Sequence, residues 1–291
     1  MDLKKAISQF GNEEQIDEQL LGPSIEYRFV PELLRALNIL RFLVVKKEYS
    51  RRGMEVTLAI IKRIGNHYVA WSYRCEFLEK IGSEEDLLEE LAINTERIKA
   101  EPKGFQCWNH RKFIFEKLGK VDLEKEKSFM DEILTHDSKN YHLWSYRTWL
   151  CERFGFWEHE MKFINSILPL DLLNNSFWSY RHFLTSHLKQ PLEEEKAVCE
   201  TAIETNPKNE SAWNYYSSLF QNECLDEKAL EFTEKIAKNS NSHFPLRALF
   251  FHHLNSEQPD SKKMTQLIED LNKTAPERSA YWTHLASRIK N

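Results

Sequence analysis

The chain has 291 residues, of which 41% are hydrophobic and 29% are charged, and its formal net charge is −5. This slightly acidic balance argues against a nucleic-acid-binding protein, which would carry a basic face. No run of about 18 apolar residues predicts a transmembrane helix, and the N-terminus lacks the apolar stretch of a signal peptide. The five cysteines are odd in number and widely spaced, which predicts reduced thiols in a cytoplasmic protein.

The first predicted elements are two helices between residues 26 and 63, interpreted as a degenerate pair ahead of a series of repeats. From there a short phrase centred on tryptophan recurs at intervals of 34 to 37 residues. Its anchors are Trp71, Trp108, Trp144, Trp178 and Trp213. A fixed period of this length is typical of stacked helical hairpins. Residues 1–291 are therefore predicted to form one all-α solenoid domain of antiparallel hairpins.

Five charged stretches predict the first helix of a hairpin. Each carries apolar residues at helical spacing and then a break, in several cases at a proline or lysine turn. In chain order they are EEDLLEELAINTERIKA, LEKEKSFMDEILTH, HEMKFINSIL, LEEEKAVCETAIET and DEKALEFTEKIAK. Each of these helices is expected to bury its apolar face against neighbouring hairpins.

The second helix of each hairpin is predicted around the tryptophan, because apolar residues recur one residue before it and six and ten residues after it. In chain order the tenth position holds Ile81, Leu118, Phe154, Leu188 and, as an exception, Glu223. Glycines eleven residues after the tryptophan, at Gly82, Gly119 and Gly155, are expected to close the helix in the left-handed conformation. Tyr281 and Trp282 are expected to mark a capping half-repeat.

An arginine stands three residues after the tryptophan in four repeats, and Tyr216 replaces it in the fifth. These arginines are Arg74, Arg111, Arg147 and Arg181. Because the position lies within the apolar stripe, each guanidinium needs a carboxylate or carbonyl partner. The alternative is a row of arginines that binds anionic ligands. Structural pairing is favoured, since a ligand seldom needs the same residue in every repeat.

The repeats differ most just before the tryptophan, where a loop leads into the second helix. Lysines stand five residues before it at Lys103, Lys139 and Lys208. A helix start presents free N–H groups and the positive end of the helix dipole, so a lysine there favours phosphate binding. The alternative is that these lysines are only solvated. No zinc-ligand spacing or nucleotide-binding signature occurs, so any chemistry must be electrostatic or shared with a partner.

The phrases EPKGFQCWNHR, DSKNYHLWSYRTWL and NNSFWSYRHF occur in this order, and through them the chain resembles the protein prenyltransferase α subunits. The resemblance extends from about residue 26 to Tyr281-Trp282. It implies a right-handed α-α superhelix of TPR-like hairpins. Within the family, the chain is most similar to the α subunit shared by farnesyltransferase and type I geranylgeranyltransferase. Gln106 and the runs DSKNYHLW and NNSFWSYRHF favour that group over the Rab-specific α subunits.

The resemblance also implies roles for individual residues. Lys103 matches the catalytic lysine that reaches the diphosphate of the prenyl donor. Gln106 matches the glutamine that accepts the C-terminal carboxylate of the CaaX peptide. The other substrate-binding candidates line or neighbour the same site: Tyr68, Phe105, Asn140, Tyr141 and His142. Phe105 departs from the family's tyrosine and lacks its hydroxyl.

The implied function is attachment of an isoprenoid to the cysteine of C-terminal CaaX motifs, by an enzyme active only as a heterodimer. The expected partners are a β subunit, an isoprenoid diphosphate and CaaX proteins. No cofactor is expected on this chain, because in this family the β subunit holds the zinc ion; magnesium is expected to serve the farnesyl activity. The choice between farnesyl and geranylgeranyl donors belongs to the β subunit.

Three alternatives stay open at this point. The chain could be the α subunit of Rab geranylgeranyltransferase, which would not recognise a CaaX motif. It could be a non-enzymatic helical-repeat scaffold that binds peptides. It could also be an orphan member of the repeat family without a catalytic partner, against which Lys103 and Gln106 together argue.

Overall fold

The computed structural model describes residues 2–14, 30–257 and 259–289. Within these ranges every regular element is an α-helix or a 3-10 helix, and no strand occurs. The predicted all-α helical-repeat fold is therefore confirmed. Residues 26–29, at the beginning of the predicted leading pair, lie outside the described residues. No helix in the described ranges is long and apolar enough to cross a bilayer.

The described helices divide into two compact units, and the division in the sequence falls between Phe154 and Gly155. The first unit contains α1 (Leu3–Ile7), α2 (Pro31–Lys46), α3 (Arg51–Ile61), α4 (Tyr68–Lys80), α5 (Glu84–Ala100), α6 (Phe105–Leu118), α7 (Leu123–His136) and α8 (Tyr141–Phe154). Hairpins are formed by α3 and α4, α5 and α6, and α7 and α8, while α1 and α2 pack against α3. The second helices α4, α6 and α8 pack side by side in this order.

The second unit contains four further hairpins. Their helices are α9 (Trp157–Ile167), α10 (Asn175–Leu188), α11 (Leu192–Thr205), α12 (Glu210–Ser218), α13 (Glu227–Asn239), α14 (His243–Asn255), α15 (Ser261–Thr274) and α16 (Ser279–Ala286). Short 3-10 helices cover Leu168–Leu170, Gln221–Glu223 and Pro276–Arg278. Organisation of residues 1–291 as a single domain stays a prediction.

Local capping explains why the first helices begin where the sequence predicts. The side chain of Ser83 accepts a hydrogen bond from the amide of Asp86, and the carboxylate of Asp86 accepts one from the amide of Ser83. This capping box fixes the start of α5. At the start of α7 the side chain of Asp122 accepts a single hydrogen bond from the amide of Lys125. The charged stretches predicted for α5, α7 and α11 coincide with the observed helices.

Two predictions about the helix ends are wrong. Gly119 and Gly155 have positive φ angles of 65° and 77°, as expected, but Gly82 does not. Position 82 favours glycine for a different reason, because a Cβ there would lie 2.7 Å from the backbone of Leu78. Ile81, expected in the inward stripe, is 57% exposed because α4 has already ended at Lys80.

The C-terminal third also differs from the predicted pattern. α12 stops at Ser218 and the backbone is extended at Phe220, with φ −105° and ψ 134°, so the stripe ends early. The left-handed residues Asn222 and Glu223 follow this break. The stretch DEKALEFTEKIAK forms the predicted first helix α13, but its partner α14 carries Leu246 where the other second helices carry tryptophan. Trp282 occupies that fourth position in α16 and is fully buried, so the terminal segment is a complete hairpin and not a half-repeat.

Each of the five anchor tryptophans holds the loop that precedes its own helix. The indole Nε1–H donates to the carbonyl oxygen six residues earlier, at 2.8 to 3.0 Å. The acceptors are Gly65, Pro102, Ser138, Leu172 and Pro207. Since these tryptophans are at most 8% exposed, they serve the core, as the repetition predicts.

Arg74, Arg111 and Arg181 form buried triads between successive hairpins, and Arg147 donates to Asp131 at 2.8 Å. Arg111 donates two hydrogen bonds of 2.7 and 2.6 Å to Glu126, and the Tyr146 hydroxyl donates to the same carboxylate at 2.8 Å. Equivalent triads join Arg74, Glu90 and His110, and Arg181, Glu195 and Tyr215. In the fifth repeat the Tyr216 hydroxyl donates to Glu200 at 2.9 Å. These contacts support structural pairing over a row of ligand-binding arginines.

Acidification is expected to weaken the triad of Glu90. Burial by itself raises the pKa of this carboxyl, but the charge of Arg74 and the hydrogen bond with His110 outweigh it and lower the pKa to about 2. An unfolded glutamate has a pKa of about 4.3, so this stabilisation is complete above that pH and is lost as the pH falls towards 2. We expect the free energy of unfolding, measured by urea denaturation, to drop by on the order of 2 kcal/mol over this window. The Glu90→Gln variant should show a smaller drop in the free energy of unfolding over the same pH range. A drop equal to that of the wild type would contradict the assignment.

Candidate functional site at the starts of α4, α6 and α8

The structure places all seven predicted site residues in the first unit, at the starts of the second helices. Tyr68, Phe105 and Tyr141 are the first residues of α4, α6 and α8. Gln106 and His142 follow as second residues, Asn140 directly precedes α8, and Lys103 lies two residues before α6. Because α4, α6 and α8 pack side by side, these residues share one edge of the unit.

This edge lacks acidic residues in the first helical turns. The first turns of α4, α6 and α8 contain no aspartate or glutamate, whereas those of α5 and α7 contain Glu84, Glu85, Asp86, Glu124 and Glu126. The acidic side chains compensate the helix dipoles of α5 and α7. The positive ends of α4, α6 and α8 are left available for a negatively charged group.

Among these three helices, α6 differs in its cap. The side chain of His67 accepts from the amide of Ala70 at the start of α4, and Asn140 accepts from Leu143 at the start of α8. The corresponding residue of α6 is Gly104, which offers no side-chain cap. The first amide groups of α6 therefore have no competing side-chain acceptor, directly beside Lys103.

The Lys103 side chain projects from the loop into solvent. It is 81% exposed, and its Nζ lies 3.6 Å from Oδ2 of Asp137, in the loop before α8. An exposed ion pair of this length contributes little free energy, so it does not prevent Lys103 from binding another anion. Lys139, at the equivalent position one repeat later, precedes the capped start of α8.

Asn140 connects the Lys103 loop to the next hairpin. It is 2% exposed, and its Nδ2 donates to the Pro102 carbonyl oxygen at 3.2 Å while its Oδ1 caps α8. The Trp108 indole donates to the same Pro102 oxygen. Both polar atoms of Asn140 are thus engaged within the fold. Its structural effect is to fix the backbone next to Lys103, while direct contact with a substrate stays a prediction.

Three aromatic rings are exposed along this edge. The exposed fractions are 69% for Tyr68, 48% for Phe105 and 77% for Tyr141. The ring of Tyr141 meets that of His142 edge-on, with 5.6 Å between centroids. Large exposed rings around a cationic loop are typical of a surface that a protein partner covers.

Gln106 is half-buried and is the second residue of α6. Within the ranges that the structure describes, no group of three or more His, Cys, Asp or Glu side chains is arranged to hold a metal ion. The polar groups that this edge offers a ligand are the Lys103 ammonium group, the Gln106 amide, the tyrosine hydroxyls, the His142 ring and the backbone N–H groups at the start of α6.

Comparison with known proteins establishes the family. A model of the protein prenyltransferase alpha subunit repeat matches residues 87–118, 123–154 and 192–223. The farnesyltransferase/geranylgeranyltransferase type-1 subunit alpha of Candida albicans is 31% identical over 276 residues, which span 87% of this chain and 88% of the relative. The chain belongs to the protein prenyltransferase α-subunit family. The predicted family and the function as a prenyltransferase α subunit are thereby confirmed.

A second relative and a solved structure agree with this assignment. The corresponding subunit of Schizosaccharomyces pombe is 33% identical over 78 residues, 25% of this chain and 24% of the relative. In the solved structure of Candida albicans protein geranylgeranyltransferase-I complexed with GGPP, one chain superposes with a TM-score of 0.84 at 26% identity. That superposition covers 97% of this chain and 100% of the other. The family fold therefore extends over nearly the whole chain.

Three features of the edge were not predicted from the sequence. The acid-free first turns could have been found by comparing the starts of the first and second helices. The missing cap could have been found from Gly104, which stands where His67 and Asn140 cap the neighbouring helices. The contact of Asn140 with Pro102 joins residues 38 positions apart, and no local pattern in the sequence indicates it.

Proposed function

We propose that this chain, together with a β subunit, attaches an isoprenoid to the cysteine of C-terminal CaaX motifs, and that Lys103 stabilises the leaving diphosphate. The observation that carries the proposal is the position of Lys103 beside the uncapped, acid-free start of α6. Backbone N–H groups, the positive end of a helix dipole and an ammonium group together suit a multiply charged phosphate. Of the three helices at this edge, α6 alone has these groups without a side-chain cap that competes for its first amides.

The reaction explains why the charge must be placed there. As the peptide thiolate forms a bond to C1 of the isoprenoid, the bond from C1 to the diphosphate oxygen breaks and negative charge accumulates on the leaving group. A lysine held next to that oxygen binds the transition state more strongly than the ground state. Activation of the thiol by zinc is assigned to the β subunit, and magnesium is expected to assist the farnesyl activity.

The neighbouring residues take the remaining substrate roles in this proposal. Gln106 donates from its amide to the C-terminal carboxylate of the peptide. Tyr68, Phe105 and Tyr141 pack against the β subunit or the substrate, which would cover their exposed rings. His142 lines the same site, and Asn140 positions the loop of Lys103.

Asn140→Ala should separate this positioning role from a general effect on the fold. Asn209 makes the same pair of contacts in the second unit, to the Leu172 carbonyl at 2.7 Å and the Ala212 amide at 3.2 Å. Loss of either asparagine removes a helix cap and a hydrogen bond, so both variants should lose about 1 kcal/mol of stability. Only Asn140→Ala is expected to lower the rate of prenyl transfer as well. Equal rates for the two variants would assign Asn140 to the fold alone.

Co-expression tests the function directly. The chain should copurify with a β subunit from the same organism, and the complex should transfer an isoprenoid to a peptide ending in CaaX in a zinc-dependent reaction. Transfer only to Rab proteins bound to an escort protein would instead indicate a Rab-type α subunit. A stable complex without any transfer, or no β subunit at all, would indicate a scaffold. The cytoplasmic location, predicted from the five reduced thiols, is tested by fractionation of the native source.

A further inference from the structure

The C-terminal turn of α2 exposes two apolar side chains at the end of an otherwise buried helix. Residues 36–40 are buried, whereas Val44 is 42% exposed and Val45 is 67% exposed. Successive residues of an α-helix point about 100° apart, so the two valines lie on different sides of the helix end. Lys47, which has a positive φ angle of 54°, ends the helix two residues later. The valines therefore surround the end of α2 and do not form a single face on which another helix could pack.

Three cations accompany the valines. Arg41 lies one turn before them, and Lys46 and Lys47 follow directly. Arg41 donates to the side-chain oxygen of Asn38, which is neutral, so its charge is not cancelled there. Residues 33–47 contain no aspartate or glutamate. The end of α2 thus carries three positive charges, with no acidic residue in the preceding turns of its helix.

The neighbouring acidic residues do not cancel this charge. Glu48, the next residue in the chain, accepts hydrogen bonds from Arg52, and Arg52 also pairs with Glu14. This group of three leaves one negative charge. Glu76, near the end of α4, is paired with Lys80 and leaves none. Counted with the three cations of α2, these groups still leave two positive charges.

The end of α4 contacts the loop that follows α2 and has a similar composition. The contact is made by Tyr49, whose ring centre lies 3.9 Å from Nζ of Lys80. The residue after this lysine, Ile81, is 57% exposed. We call the following residues the end patch: Arg41, Val44, Val45, Lys46, Lys47, Lys80 and Ile81. It lies at the ends of α2 and α4, whereas the edge that carries Lys103 is formed by the starts of α4, α6 and α8.

We propose that the end patch docks the chain reversibly on the surface of an anionic lipid bilayer. The valines and Ile81 enter the boundary between headgroups and acyl chains, while the lysines approach the negative headgroups. A bilayer accepts apolar side chains that point in different directions, whereas a folded partner protein would need a concave surface shaped to receive them. Because the apolar area is small, binding is weak and needs both the valines and the charges. The end patch shares no residue with the candidate site, so this inference does not depend on the proposed function.

Sedimentation with phosphatidylcholine vesicles, of the full chain alone and in complex with a β subunit, tests the proposal. We expect about fivefold more bound protein when about 30% of the lipid is phosphatidylserine, and loss of this difference in about 0.5 M salt. Val44→Ser combined with Val45→Ser should weaken binding about fivefold. Lys46→Gln combined with Lys47→Asn should weaken it about tenfold. Asparagine is chosen because it tolerates the left-handed conformation of residue 47.

Two matched pairs of substitutions control for exposed apolar area and for net charge. Leu170→Ser with Leu173→Ser removes two exposed leucines from a loop of the second unit, and Lys62→Gln with Arg63→Gln removes two exposed cations after α3. Both should bind as the wild type does. No binding, equal binding to neutral vesicles, or equal losses in the test and control pairs would overturn the proposal. Binding by the free chain that is lost in the complex would assign the end patch to contact with the β subunit and would overturn it as well.

Discussion

Replacement of Lys103 by alanine should lower the rate constant of prenyl transfer on the order of 100-fold, with the heterodimer intact. Lys103 is 81% exposed and makes one long contact, to Asp137, so its removal leaves the fold unchanged. The rate falls because, without the Lys103 ammonium group, only the backbone amides of α6 would stabilise the negative charge that develops on the leaving diphosphate. Single-turnover kinetics with saturating prenyl donor measures this step without contributions from product release.

Lys139→Ala is the matched control for this experiment. Lys139 occupies the same position one repeat later, but it precedes a helix start that Asn140 already caps. Its replacement should change the rate severalfold less than that of Lys103. An unchanged single-turnover rate for Lys103→Ala would remove this lysine from the chemical step. Similar losses for both lysines would point to general attraction of the anion and not to a placed charge.

Replacement of Arg111 by methionine should destabilise the chain by about 3 to 5 kcal/mol, because it leaves Glu126 buried without its cation. Glu126 is 2% exposed, and the Tyr146 hydroxyl alone cannot compensate a buried carboxylate. Denaturant unfolding followed by circular dichroism measures the change. The largest effect is expected here because the triad joins two hairpins.

Two further variants identify the cause of this loss. In the double variant Arg111→Met with Glu126→Gln, part of the stability should return, since no buried charge is left. Lys120→Met breaks an exposed pair with Glu84 and should cost less than 1 kcal/mol. If Arg111→Met unfolded at the wild-type denaturant concentration, the triads would be incidental to stability.

The fold could be predicted to this extent because the repeats supply the same information several times. Helical spacing together with caps such as Ser83 and Asp122 sets the bounds of the first helices. The need of Arg111 for an anionic partner also follows from its place in the apolar stripe. The identity of the partner does not, because α7 offers both Glu124 and Glu126 within its first turn, and only packing selects the latter.

The candidate site could be predicted less completely. Comparison of the repeats and the family resemblance both lead to Lys103 and Gln106, since they depend on positions relative to Trp108. The buried state of Asn140 follows from a contact with the preceding hairpin that no periodicity encodes. The early end of α12 likewise comes with an extended backbone at Phe220, which no glycine or proline in that segment indicates.

The hydrogen bonds of the tryptophans and asparagines have a practical consequence for protein engineering. They fasten loops inside hairpins, such as residues 206–209, where the Pro207 carbonyl accepts hydrogen bonds from both Trp213 and Ser242. The turns that connect successive hairpins, such as residues 189–191, carry no such contacts from tryptophan side chains. Inserted tags or fluorescent labels should therefore be tolerated at Lys189–Pro191 and should disrupt folding at Pro207. Within the second unit, the loops inside a hairpin and the turns between hairpins thus differ in how freely their length can change.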